Sequence, residues 1–582
     1  MTDGRARVAA VLPPAPRWAD PVPPDPGVVA ALTAALRLPA PVCAVLAVRG
    51  FGEVEAAKRH LRPRMDHGHD PALLADGLPA AERIATAVRS GETILVHGDY
   101  DVDGICATAL YTRWLRSLGG SVVPFVPHRV RDGYDFGPAG LRAAEEAGAG
   151  LILTADCGTV ATGPVREARA AGRDVVVTDH HTVGASPAEP TFLVNPQRPD
   201  CAYPDTGLCG AGVAYKVCAL VGRLLRADPE ELGAYLDLVA LATVADLVPL
   251  RGENRVLVRY GLRRFAHTRV PGVAALLEVS DVDPVGVGAG ALGFRVAPRI
   301  NAAGRIGESA DALRLLLTDD PDEARRLAAS LDEINRRRQD EDRRTLDEAL
   351  EVLEATYDPE RDTGVVLAGE GWHPGVIGIV ASRIVERIHR PTVLLALDGD
   401  RARGSARSIP GFHLYDALAA CSEHMLRFGG HAQAAGMDVA RSGIPAFRAA
   451  FDAEARARVG ADDLRPVLRA DVELGLDEAD LDLVRWLDYL GPHGIGNPRP
   501  VFLARRVRVE GPREVGTGHL KARLRPARGN AVDAIGFGLV PRIPPDSIGD
   551  GLYDALVKLE TNEWRGEVRL QARLVDLRPS AP

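Results

Sequence analysis

Two observations predict an α/β protein built on a doubly wound parallel sheet. Between residues 91 and 250, short apolar runs alternate with Ala- and Arg-rich stretches of helical character, the signature of strand–helix–strand units. Several of those runs end in Asp or His, and ligands of such sheets collect at the carboxyl ends of the strands. A third observation sets the rest of the architecture. The pattern recurs more briefly beyond residue 356, then gives way to short strand-like segments rich in Arg and Gly.

Taken in order, residues 1–25 are Pro-rich and read as an irregular lead-in. Residues 26–90 alternate helix-like stretches with turn signals such as Arg49-Gly50. Residues 1–90 are therefore expected to form an N-terminal extension packed on the α/β core that follows. A first α/β domain follows at 91–320, with strands at Thr93–His97, Val122–Val126, Leu151–Ala155, Val175–Thr178 and Phe192–Val194. Over 321–355, Glu and Arg recur at helical spacing and Leu327, Leu331, Ile334, Leu346 and Leu350 form a partial apolar face. This predicts one long, mostly exposed connecting helix, with Arg336-Arg337-Arg338 on its solvated side. A second α/β domain, 356–462, carries apolar runs at Val365–Leu367 and Val393–Leu397. Residues 463–582 predict a small β-barrel.

Composition narrows the function. A chain of 582 residues has room for several domains. Its net charge of −9 makes no general polyanion magnet, so contact with nucleic acid needs a local basic stripe. Residues 499–528 supply one, with nine Lys or Arg against two Glu. Lys occurs only at 58, 216, 521 and 558; the abundant Arg suits bidentate phosphate contacts. Seven scattered cysteines form no CxxC pair, which argues against a zinc site or a disulfide framework. With no signal peptide pattern and no long apolar run, a cytoplasmic protein without a membrane span is expected.

The chemistry is concentrated in His97-Gly98-Asp99-Tyr100-Asp101-Val102-Asp103-Gly104, which follows the first strand. Alternate residues of an extended chain share a face, so His97, Asp99, Asp101 and Asp103 can converge. Packed together they repel one another or go unsatisfied unless a cation sits among them. Asp156-Cys157-Gly158 ends the third run, Asp179-His180-His181 the fourth, and a helix-like segment from Leu236 leads to Asp246. Singly, each has a structural reading as a turn, a cap or a loop. Together, at strand ends that the fold brings side by side, they read as a metal centre. Oxygen and imidazole ligands without sulfur favour Mn²⁺ or Mg²⁺ over structural zinc. A pair of such ions suits phosphoester hydrolysis.

These motifs are similar to those of the DHH phosphoesterase superfamily, and Gly429-Gly430-His431-Ala432-Gln433-Ala434-Ala435-Gly436 resembles its second domain, DHHA1. Gly404–Ser408, Arg299–Arg305 and Trp372–Arg383 resemble one family within it, the RecJ exonucleases, and the resemblance runs from about residue 25 to the end. It implies 5′-to-3′ degradation of single-stranded DNA to 5′-mononucleotides, in recombination and repair, with two Mn²⁺ or Mg²⁺ ions. It makes the C-terminal barrel an OB-fold, on which Phe502, Phe537 and Trp564 are either core or stacking residues. It also implies a monomer, partnered by a single-strand binding protein and a RecQ-type helicase.

Position by position, the resemblance gives one ion to Asp101, Asp156 and either His97 or Asp99. The other falls to Asp103, Asp156, His180 and Asp246, with Asp156 as the bridge. His181 sits beside the metals and binds or protonates the reacting phosphate, so that His181, Asp156 and Asp99 form the catalytic set. Ser405, Arg407, Gly430 and His431 match a pocket for the 5′-phosphate, which Arg129 and Arg299 are expected to join. One departure stands out: Asp135 occupies a position of the Gly133-Tyr134-Asp135 turn where the family has glycine. Two rivals remain. One is a phosphodiesterase of short oligonucleotides or cyclic dinucleotides, and the other is a non-catalytic DNA-binding scaffold.

Overall fold

The computed structural model describes residues 13–129, 131–184, 186–564 and 566–581. Among them the chain divides into two compact units. The first holds 54–336 with 488–499, and the second holds the remainder. The expected extension 1–90 is therefore split. Its described residues up to 53 join the second unit, where strand β1 (Arg17–Ala19) pairs in parallel with β12 (Val467–Arg469). Arg49 anchors the same stretch through a 2.7 Å ion pair to Asp471. Only 54–90 belongs with the catalytic sheet.

That sheet contains β2 (Thr93–Gly98), β3 (Ser121–Phe125), β4 (Leu151–Ala155), β5 (Asp174–Thr178) and β6 (Phe192–Val194), all parallel, in the order β3-β2-β4-β5-β6. Period-two alternation feeds two cores. Ile94, Val96, Leu151, Leu153 and Val176 pack on one side, while Leu95, Ile152, Val175 and Val177 pack on the other. Both faces are covered, as parallel sheets require. The first core is completed by the helices Gly77–Ser90, Val102–Ser117, Gly210–Leu225 and Leu236–Ala245. From β2 the chain moves outward to β3, then returns to place β4 on the opposite side of β2. The strand order therefore reverses between β2 and β4, which is where a doubly wound sheet opens its ligand crevice.

In the second unit, β7 (Val365–Glu370), β8 (Thr392–Asp398), β9 (Arg401–Arg407), β10 (Arg427–Gly430) and β11 (Ala434–Ala440) form a mixed sheet in the order β10-β11-β9-β8-β7. The barrel holds β13 (Val472–Glu473), β14 (Phe502–Val515), β15 (His519–Arg525), β16 (Val532–Gly536), β17 (Tyr553–Trp564) and β18 (Glu567–Pro579). Pairing of β14 with β17 closes the sheet on itself, which removes exposed edges.

The long helix runs from Pro321 to Thr356. Its expected apolar face is present, with Leu327, Leu331, Ile334, Leu346 and Leu350 all packed on a core, but polar residues share the buried side. Leu331 and Leu350 are buried, but so are Asp332, Asn335, Asp342 and Thr345. Arg336 is solvated, whereas the Arg338 side chain is only 12% exposed and lies 3.6 Å from the Asp342 carboxylate. Arg383 closes on the same carboxylate at 2.9 Å. Leucine spacing alone conceals this polar stripe, because buried ion pairs follow no hydrophobic period.

Candidate metal centre

The site is built at the carboxyl ends of β2, β4 and β5. Beyond Gly98 the chain turns through Asp99 and Tyr100 into Asp101, which caps the helix Val102–Ser117. One oxygen of Asp101 accepts the amides of Asp103 and Gly104 at 2.9 and 3.1 Å, as an N-cap carboxylate does. Asp103, in the first turn, accepts the amides of Gly210 and Ala211 at 2.6 and 2.7 Å. Asp156 follows β4 with φ of 67°, a left-handed conformation that costs an L residue energy and tends to cluster at functional sites. A Cβ on Gly210 would lie 2.5 Å from that of Asp156, so only glycine lets the helix Gly210–Leu225 begin there.

Three groups of side chains have candidate ligand atoms within 4.8 Å of one another: Asp99, Asp101 and Asp156; Asp103, His180 and Asp246; and Asp156, His180 and His181. His180 Nε2 lies 3.1 Å from Asp156, 3.7 Å from Asp103 and 3.6 Å from Asp246. His97 belongs to none of these groups. Its imidazole is packed between Phe125 and Phe136, with ring centroids 5.2 Å from each, and burial pushes its pKa down to about 4. Of the two open alternatives, the geometry brings Asp99 to the cluster and leaves His97 in the aromatic layer behind it.

Electrostatics test whether cations fit. Asp99 Oδ1, Asp156 Oδ1 and His180 Nε2 are buried and make no hydrogen bond. Burial pushes Asp99 and Asp156 well above the usual carboxylate range, reinforced by repulsion from Asp101 and, for Asp156, from Asp103 and Asp246 as well. Asp246 is raised for the same reasons. Unmet buried donors and acceptors are expensive, and divalent cations among them would satisfy the atoms and relieve the repulsion. The residues present therefore fit a pair of oxygen- and imidazole-bound cations.

Asp179, delivered by the same motif, does not face the cluster. Its oxygens accept the amides of His180, His181 and Thr159, and Oδ1 lies 2.8 Å from His181 Nδ1. Burial lowers the basicity of His181, but the hydrogen bond and charge of Asp179 outweigh it and push the imidazole up to about 9. Asp179 thus orients His181. Asn195 holds the His181 carbonyl at 2.9 Å, and Gln197 holds that of His180.

A cavity of about 270 Å³ opens on the cluster, lined by Asp99, Asp101 and His181 together with Arg129, Tyr134, Asn301 and Arg305. Arg129, which the resemblance assigned to the 5′-phosphate pocket, lines this cavity, its guanidinium 5.3 Å from the Tyr100 ring centroid. Arg299 is not among the lining residues. It pairs with Asp332 at 2.8 Å and donates to the Arg295 and Val279 carbonyls. The arginine that its helix turns to the cavity is Arg305, six residues on. Motif matching points to the helix but not to the face that each arginine occupies. Tyr134, whose hydroxyl is 3.3 Å from His181 Nε2, carries no sequence signal beyond the turn it sits in. That turn survives the departure at Asp135, which takes φ of 74°. Its carboxylate accepts the amides of Phe136 and Gly158 at 2.8 and 2.7 Å.

In the second unit, Arg407 lies 3.2 Å from Ser405 on the same face of β9. A Cβ on Gly378 would fall 2.8 Å from the Arg407 guanidinium and 2.9 Å from the Ser405 hydroxyl. Both groups therefore converge on the first turn of the helix Ile377–Ile388, and a helix N-terminus favours an anion. Gly430 and His431 form the turn from β10 to β11, and β11 pairs with β9.

Comparison with known proteins identifies the domains that carry these residues. The DHH family N-terminal domain matches residues 93–243, the DHHA1 domain 362–457 and the RecJ OB domain 470–576. The single-stranded-DNA-specific exonuclease RecJ of Bacillus subtilis is 35% identical over 565 residues, covering 95% of this chain and 70% of that protein. The chain belongs to the RecJ family. RecJ of Thermus thermophilus is 41% identical over 86% of this chain and 70% of its own. The crystal structure of RecJ with Mn²⁺ from that organism superposes with a TM-score of 0.84 at 34% identity, covering 97% of this chain and 80% of that one. Its Mg²⁺ complex gives 0.78 at 33% identity, over 97% and 79%. RecJ thus supplies the expected α/β catalytic domain, DHHA1 domain and OB-fold in one chain.

Proposed function

We propose that this chain is a metal-dependent exonuclease that degrades single-stranded DNA from its 5′ end to mononucleotides. The observation that carries the reading is the convergence of three buried atoms without a hydrogen bond, on Asp99, Asp156 and His180, at the switch point of a RecJ-type sheet. In this reading Asp99, Asp101 and Asp156 hold one cation. Asp103, Asp156, His180 and Asp246 hold the other, with Asp156 shared. When bound, two divalent cations supply Lewis acidity and offset the charge that develops on the phosphoryl group.

The chain's own groups do the rest. His181, oriented by its hydrogen bond with Asp179, presents Nε2 to the phosphate, which it binds or protonates. Arg129 and Arg305 hold the anionic backbone in the cavity. Ser405, Arg407, Gly430 and His431 cradle the terminal phosphate, so direction is read from the end of the strand and not from its bases. On the barrel, Phe537 is half exposed beneath the Arg573 guanidinium, at 5.2 Å from its ring centroid, and suits sequence-neutral stacking. Phe502 is buried core; the Trp564 side chain lies outside the described residues. Recombination and repair, a monomeric state, a single-strand binding protein and a RecQ-type helicase as partners are proposed on the family resemblance. Seven free cysteines support a reducing cytoplasm. Among the described residues, no helix is long and apolar enough to cross a membrane.

Rates on a long single strand, a duplex and a dinucleotide, with Mn²⁺ or with chelator, test the proposal. Rapid chelator-sensitive loss of the single strand alone is expected. Hydrolysis of the dinucleotide with the strand intact would assign the chain to the short-substrate phosphodiesterases.

A further inference from the structure

Next to the catalytic cavity, two backbone anomalies coincide with the most exposed aromatic side chain among the described residues of the first unit. The helical run that supplies Asn301 and Arg305 starts at Ala289 and contains a π-turn over Leu292–Val296. Such turns are rare and concentrate at functional sites. Within it, the Phe294 side chain is 88% exposed. The π-turn packs on the helix Leu236–Ala245: a Cβ on Gly293 would sit 3.3 Å from Val244. Just past that helix and the proposed ligand Asp246 comes Leu247, 66% exposed and held at φ of 60°. An L residue with this backbone is strained, and here the strain turns an apolar side chain outward instead of burying it. Both elements lead directly into the cavity wall, through Ala245 on one side and Asn301 on the other. Phe294 precedes Asn301 by about two helical turns, roughly 10 Å.

So exposed an aromatic ring contributes little to the core of its own unit. The cavity beside it carries Arg129 and Arg305, the charge complement of a phosphate backbone. We infer that Phe294 is a stacking platform for a nucleobase of the strand downstream of the nucleotide being removed. This rests on the exonuclease reading, because only a polymeric substrate reaches from the cations to the π-turn. It differs from the barrel's stacking surface in acting beside the reacting phosphate. There it would hold the strand in register between successive cuts.

The test is binding of the full chain to a 5′-phosphorylated, phosphorothioate-linked thymidine strand, with one abasic site moved along it. Phe294→Ala is expected to weaken binding about tenfold, as loss of a base–aromatic stack does. In the wild type, one abasic position weakens binding; in Phe294→Ala that same position carries no further cost, the coupling that identifies a direct contact. Phe294→Trp restores affinity, and the exposure of the side chain leaves folding intact in both variants. Equal abasic penalties in wild type and Phe294→Ala at every position would overturn the inference. So would unchanged affinity of Phe294→Ala, the result expected if the patch receives a protein partner instead. A wild type that fails to bind the strand at all would strike the exonuclease reading first.

Discussion

At the scale of single residues, Asp156 combines three costs that ordinary folding would avoid: a left-handed backbone, full burial and an oxygen without a hydrogen bond. All three are explained if it bridges two cations. Asp156→Ala is expected to lower Mn²⁺-dependent turnover by on the order of 10³-fold while strand affinity, measured by fluorescence anisotropy, is largely kept. Unchanged turnover would remove the bridging assignment. The neighbouring carboxyls carry a second prediction. Burial and mutual repulsion raise Asp99, Asp156 and Asp246, so the metal-free cluster retains protons that a cation must displace. Mn²⁺ affinity should therefore rise with pH, and calorimetry in buffers of different ionisation enthalpy should show proton release on binding. Pairing His180 and His181 with the cluster was legible from their place after an apolar run. The opposite orientation of Asp179 was not, because it depends on backbone amides that only the folded loop presents.

At the scale of elements, the helix Leu236–Ala245 carries a buried carboxyl remote from the proposed ligands. Asp237 is fully buried and bonded to Thr268 and to the Leu238 amide, and burial raises its pKa from 3.8 to about 6. The folded state thus binds more protons than the unfolded chain between those values. The stability this contributes is fully present below pH 3.8 and is lost as pH rises through about 6. The loss amounts to ~3 kcal/mol for a shift of roughly two units. Asp237→Asn should accordingly melt higher than wild type at pH 8, with the difference vanishing near pH 4; identical melting profiles would contradict this. The first turn of the helix Ile377–Ile388 makes a different claim, that it and β9 read the strand end. Arg407→Ala is expected to cut the preference for 5′-phosphorylated over 5′-hydroxyl strands by about tenfold. An unaltered preference would dissociate this cradle from end recognition.

At the scale of the molecule, the sequence laid out both α/β domains and the barrel because their signals are local. Apolar runs such as Leu151–Ala155 coincide with strands, and the strand order that joins their ends follows from short right-handed connections. What escaped prediction was set by distant partners. Arg17–Ala19 pair with a strand more than 400 positions away, Arg299 is claimed by Asp332, and the long helix buries Asp342 between two arginines. None of these pairings leaves a periodic trace. The candidate cluster itself was legible because its residues fall at strand ends, whereas Tyr134, Asn301 and Arg305 reach the cavity from a turn and a helix whose placement the motifs do not encode. The measurement that tests the whole account most directly is digestion of a long single-stranded DNA, labelled at one end or the other, by purified protein with Mn²⁺. Immediate release of the 5′ label as mononucleotide, with the 3′ label retained in shortening fragments, is predicted; early release of the 3′ label, or an intact strand, would contradict it.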